Sequence, residues 1–118
     1  MLITPETAAG CAEEKRKLAG QMHTSMERVA SIDREVKEFE NFTMADIADE
    51  VDEAGKARFS NGEKREAELQ RRCNANKSLA DLTVEREAAA REVARLRMEH
   101  EYQSDMLSIC LQFAPYQG

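Results

Sequence analysis

The sequence predicts an all-α fold: a long antiparallel helical hairpin, coiled-coil-like, with a short middle helix between its two arms. The composition is typical of long helices, because 34% of the 118 residues are charged and only 5% are aromatic. Residues 60–113 contain no proline and are rich in Glu, Lys, Arg, Ala and Leu, which have high helix propensity. A helix of that length would extend roughly 75 Å. It therefore has to lie along another helix.

The first arm is predicted over residues 5–41. Thr4 is expected to cap it, Pro5 suits the first helical position, and Glu6 favours the positive end of the helix dipole. Apolar side chains then recur at helical spacing and form one stripe. A second row widens this stripe, so that the helix can contact more than one neighbour: Ala12, Ala19 and Met26.

The middle segment, residues 42–61, is predicted to hold the short acidic helix and the turn. Thr43 with Asp46 resembles a helix cap, and Gly55 can end the short helix in a left-handed conformation. Ser60 and Glu63 have the spacing of a capping box, which places the second arm at residues 62–113. Residues 114–118 form a tail after this helix.

The whole chain, 1–118, is expected to be one domain that self-associates, with a dimer favoured. Two helices alone bury one stripe each, so apolar surface remains for a second copy. A parallel dimer through the last helix is less favoured, because Arg86, His100 and Gln103 would each meet their own copy. The residues predicted to support self-association are Leu18, Met22, Val29, Ile32, Val36, Phe39, Leu82, Val93, Leu96 and Leu107.

No catalytic, cofactor or metal site is predicted, and the chain is not expected to be an enzyme. His23 and His100 have no further histidine or cysteine three or four residues away, as a zinc site on a helix would need. Cys11, Cys73 and Cys110 form no C-x-x-C pair and, with no signal peptide in view, are expected to be reduced thiols of a cytoplasmic protein.

A protein partner is predicted, through two surfaces. One is the acidic run Asp46, Asp49, Glu50, Asp52 and Glu53, and the other is an apolar edge formed by Tyr102, Met106, Ile109 and Phe113. The net charge of −6 disfavours direct contact with nucleic acid, and the basic residues Lys64, Arg65, Arg71 and Arg72 alternate with glutamates. No apolar stretch is long enough to cross a membrane.

Residues 52–65 (DEAGKARFSNGEKR) and 96–102 (LRMEHEY) resemble small helical-hairpin proteins from the early regions of bacteriophages and prophages. In that family an acidic–Gly–Lys turn and an aromatic–Ser/Thr–Asn step precede a long helix. The resemblance implies a phage accessory protein of the host cytoplasm with no catalytic residues to transfer. The expected function is non-enzymatic protein binding, either as an inhibitor of a host defence system, of the anti-CRISPR kind, or as a recombination or replication accessory. The alternative is a structural coiled-coil assembly subunit.

Overall fold

The computed structural model describes residues 4–113 and confirms the all-α helical hairpin. It contains three helices over this range: α1 (Pro5–Asp49), α2 (Gly62–Ala75) and α3 (Lys77–Phe113). The predicted tail and the side chain of Phe113 lie outside the described residues. Thr4 caps α1 as predicted, because its hydroxyl oxygen accepts a hydrogen bond from the backbone N–H of Thr7 at 3.1 Å.

The predicted short middle helix is not a separate element, because α1 continues to Asp49. Thr43 lies inside α1, where it is buried together with Ile47 rather than acting as a cap. Thr43 and Ile47 follow the buried Ile32 at intervals of 11 and 15 residues, which places all three on one helix face. The apolar face of the first arm therefore continues through residues 42–49, and its burial stabilises an unbroken helix.

The second arm differs from the prediction at two positions. Asn61, rather than Ser60, caps α2, since its Oδ1 atom accepts a hydrogen bond from the backbone N–H of Lys64 at 2.8 Å. The arm is also broken at Asn76, whose backbone is extended and whose Oδ1 atom accepts from the N–H of Leu79 at 3.0 Å. Asparagine competes for backbone hydrogen bonds in this way, so one residue ends α2 and caps α3.

The chain divides into two compact units, which we call the terminal unit (residues 4–29 and 88–113) and the turn unit (residues 30–87). In the terminal unit the buried apolar side chains are those of Leu18, Leu96 and Cys110. The turn unit buries those of Ile32, Ile47, Leu69 and Leu79. The prediction of a single domain stays a prediction.

Candidate interaction surfaces

The acidic segment includes the start of a short loop, residues 52–56, which is closed by hydrogen bonds between its own residues. The backbone N–H of Asp52 donates to the carbonyl of Lys56 at 2.7 Å, and the Asp52 carboxylate accepts from the N–H groups of Ala54 and Lys56. Gly55 has a φ of +79°, a conformation that a glycine adopts without strain. Gly55 therefore shapes this loop, whereas it was predicted to end a helix directly.

Arg72 links α2 to the end of α1 and to the loop. Its guanidinium group donates to Glu50 at 2.6 Å and to Glu68 at 2.9 Å. The same group lies 6.0 Å from the centre of the Phe59 ring, and that of Arg58 lies 5.4 Å from it. Arg72 thus holds together three parts of the turn unit that are separate in sequence.

The five acidic residues predicted to bind a partner therefore differ in their environment. Glu50 is occupied by Arg72, and Asp52 is occupied by the loop amides. The carboxylates that remain on the exposed surface of the acidic segment are those of Asp46, Asp49 and Glu53.

Three of the four basic residues of α2 make side-chain contacts within the fold. Arg71 and Arg72 both donate to Glu68, and Arg65 donates from Nε to the carbonyl of Phe59 at 3.1 Å. Hydrogen bonds from Arg71 and Arg72 lower the pKa of Glu68 from 4.5 to about 2. These contacts agree with the expectation that this group forms ion pairs rather than a phosphate site.

We expect Glu68→Gln to reduce the acid sensitivity of the protein. The pKa of Glu68 is 4.5 in the unfolded chain and about 2 in the fold, so its stabilising contribution is complete above pH 4.5 and disappears as the pH falls towards 2. The free energy of unfolding, measured by urea titration at low salt, should fall across this window in the wild type and fall less in Glu68→Gln. Glu66→Gln, an exposed glutamate of the same helix, is the control and should keep the wild-type pH dependence. Equal pH dependence in wild type and Glu68→Gln would contradict the ion-pair cluster.

The apolar edge near the end of α3 is exposed at two of the three predicted positions whose side chains the structure describes. Tyr102 is 61% exposed and Ile109 is 38% exposed, while Met106 is half-buried. Met98 was not predicted as part of this edge; it is 72% exposed and precedes Tyr102 by one helical turn. Its spacing of four residues from Tyr102 and eleven from Ile109 was the signal that could have identified it. Met98, Tyr102 and Ile109 together form what we call the outer stripe of α3.

A second apolar surface lies between α1 and α3 within the terminal unit. It is a groove of about 230 Å³ lined by Met26, Val29, Ala90 and Val93. Val29 and Val93 belong to the residues predicted to support self-association. Of the other residues in that set, Leu18, Ile32 and Leu96 are buried within the chain, and the remainder are half-buried: Met22, Val36, Phe39, Leu82 and Leu107.

The histidines and cysteines of residues 4–113 lie in different environments. No group of three or more potential metal ligands is found there. His23 lies 3.5 Å from Glu27 at the surface, Cys110 is buried, and Cys11 is half-buried. Burial, with a smaller contribution from Glu40 and Glu66, raises the pKa of the Cys73 thiol, which lowers its reactivity at neutral pH.

One long-range contact links the arms and was not predicted from the sequence. Arg86 donates from Nε to Asp33 at 2.6 Å, across 53 residues of chain. This hydrogen bond is the main cause that lowers the pKa of Asp33. Glu50 comes after Asp33 in the chain, but its partner Arg72 comes before Arg86, the partner of Asp33. The two arms therefore run antiparallel in the turn unit.

Comparison with known proteins gives no relative from which a function could be transferred: no protein-family model, curated protein or solved structure matches this chain. None of the helices over residues 4–113 is both long and apolar enough to span a bilayer.

Proposed function

We propose that this chain is a non-enzymatic, self-associating accessory protein that binds another protein through the outer stripe of α3. The observation that supports this proposal is the stripe itself: three large apolar side chains, those of Met98, Tyr102 and Ile109, are exposed on one helix within twelve residues. Large apolar side chains grouped in this way commonly mark an interaction site.

The stripe faces away from the packing within the chain. At 3.6 residues per turn, Met98, Tyr102 and Ile109 fall within about 40° of one another around the helix axis. Leu96 is 1% exposed and lies two residues before Met98, which places it on the opposite side of α3. The residues that pack α3 against α1 are thus distinct from those offered to a partner.

Acidic side chains lie beside the later part of the stripe, while Arg95, beside its start, is paired with Glu92 and Glu99. Glu101 and Asp105 are exposed and lie between its apolar residues in sequence. An amphipathic partner helix with apolar residues at helical spacing and lysine or arginine beside them would match both features. The exposed acidic residues Asp46, Asp49 and Glu53 offer a second contact for a basic partner.

The resemblance to phage accessory proteins supports a more specific form of the proposal. In this form the chain acts in the cytoplasm of a bacterial host and inhibits a defence nuclease, or assists replication or recombination. A structural assembly subunit is the alternative, and it is favoured by the groove of the terminal unit. The two functions differ in one respect, because an assembly subunit needs no foreign partner.

The test compares capture by the wild type and by the variant Tyr102→Asp/Ile109→Asp from a lysate of the host at moderate salt. We expect at least one protein to be retained by the wild type and lost by the double variant. Val84→Asp, a charge introduced at another exposed apolar position of α3, is the matched control and should retain that protein. A partner list identical for the wild type and the double variant would argue against binding through the outer stripe.

A further inference from the structure

We infer that the cavity beside the helix break at Asn76 binds a small alkylammonium group, with the carboxylate of Glu40 as its counter-ion. The cavity has a volume of about 290 Å³ and lies within the turn unit. This site does not depend on the proposed function, because the outer stripe belongs to the terminal unit.

Three helices form the walls of this cavity. The first arm contributes Val36 and Glu40, the end of α2 contributes Cys73, and the first turns of α3 contribute Leu79, Ala80 and Thr83. Ligand pockets commonly measure about 300 to 1,000 Å³, so this volume suits a small molecule or a single side chain. The apolar walls suit a short hydrocarbon chain, and the carboxylate suits a positive charge at its end.

Glu40 is the half-buried carboxylate of the turn unit that has no cation beside it. Three carboxylates of this unit are half-buried, those of Glu40, Glu50 and Glu68, and the others are exposed. Glu50 pairs with Arg72, and Glu68 pairs with Arg71 and Arg72. Among the described residues, none forms a salt bridge or hydrogen bond with the Glu40 carboxylate. A partly desolvated carboxylate is stabilised by a positive charge beside it, so Glu40 favours a cationic ligand.

The charge around the cavity also favours a cation. The turn unit has ten basic and fifteen acidic residues, a net charge of −5. Burial raises the pKa of the Cys73 thiol, and the negative charges of Glu40 and Glu66 add to this effect. Both charges that act on this thiol are negative, so the potential at this wall of the cavity attracts a cation.

The polar groups of the α3 wall are suited to a ligand that donates hydrogen bonds. The Thr83 hydroxyl donates to the carbonyl of Leu79 at 3.0 Å, which leaves its oxygen able to accept. The backbone N–H groups of Leu79 and Ala80 are bonded to Asn76 at 3.0 and 3.2 Å, so they offer no free donor to an anion. An alkylammonium group has three N–H donors, for which the Glu40 carboxylate and the Thr83 oxygen are acceptors.

The test is a titration of the protein with n-butylammonium at constant ionic strength, followed by the NMR signals of the backbone amides. We expect saturable shifts at Leu79, Ala80 and Thr83, and no saturable shifts there with n-butanol or butyrate. Glu40→Gln should raise the dissociation constant of n-butylammonium roughly fivefold or more, because it removes the counter-ion. Glu38→Gln, at an exposed glutamate of the same helix, is the matched control and should keep the wild-type value.

Ala80→Leu is a second variant, which places a larger side chain in the cavity and should weaken binding while Glu40 is kept. Circular dichroism of each variant separates loss of binding from loss of the fold. A free amine and a lysine side chain carry the same alkylammonium group, and Nα-acetyl-lysine methylamide distinguishes them. Shifts of the same amides with this compound would show that a lysine side chain fits the cavity, whereas shifts with n-butylammonium alone would identify a free amine. The absence of saturable shifts with n-butylammonium, or equal dissociation constants for the wild type and Glu40→Gln, would overturn the inference.

Discussion

Replacing Leu96 by alanine is expected to lower the free energy of unfolding by about 2–5 kcal/mol, the cost of removing a fully buried leucine side chain. Leu96 is 1% exposed and is one of three buried apolar side chains among the described residues of the terminal unit. Because few buried side chains surround this position, few can move into the cavity that the substitution creates. Urea unfolding followed by helical circular dichroism measures the change.

Met98→Ala is the control for this prediction, because it removes an apolar side chain of the same helix at a position that is 72% exposed. We expect a change within about 0.5 kcal/mol, as for most surface substitutions. Similar losses for Leu96→Ala and Met98→Ala would show that the helix face assigned to the core is wrong.

The second large effect is expected for Ala45→Pro, which should destabilise the protein by about 3 kcal/mol or more. Ala45 is exposed and lies inside α1, far from its first turn. Proline at this position removes the hydrogen bond to the preceding turn of the helix and clashes with its carbonyl group, so the cost arises in the backbone. Thermal and urea unfolding measure it.

Ala45→Gly controls for the loss of the alanine side chain and should cost about 1 kcal/mol. The comparison also tests the continuity of α1. In a separate helix capped by Thr43, Ala45 would lie in the first turn, where proline is tolerated. A cost for Ala45→Pro no larger than that for Ala45→Gly would therefore contradict the continuous helix.

Periodicity and composition were sufficient to predict the architecture. The hairpin, the start of the first arm and the inward face of Leu18, Ile32 and Leu96 follow from helical spacing and from a standard cap, which are local properties. The corner was predicted near Gly55 because only a glycine readily adopts the positive φ found there.

The helix boundaries were less predictable because several residues could act as caps. Thr43, Ser60, Asn61 and Asn76 all have side chains that can accept a hydrogen bond from a helix N–H. Burial separates Thr43 from the other three, because Thr43 is buried on the inner face of α1, while Asn61 and Asn76 cap α2 and α3. The capping pattern by itself does not show which of these side chains is buried.

The candidate surfaces were likewise predictable from the sequence only in part. Tyr102 and Ile109 were recognised as an apolar edge from their spacing, and the structure exposes both. Glu50 and Asp52 were predicted as partner residues because they belong to an acidic run. Their carboxylates make contacts within the turn unit, through Arg72 and through the loop amides, and their role in partner binding stays a prediction. The Glu50–Arg72 pair joins residues 22 positions apart, which a local pattern cannot reveal.

The loop closed by Asp52 has a consequence for the entropy of folding. Its hydrogen bonds join residues two to four positions apart, so the corner can form before any distant contact is made. The Glu50–Arg72 and Asp33–Arg86 pairs then span 22 and 53 residues. Doubling the length of a closed loop costs only about 0.6 kcal/mol. The two arms can then align progressively, beginning at this corner. Each contact between residues far apart in sequence therefore requires little additional ordering of the chain.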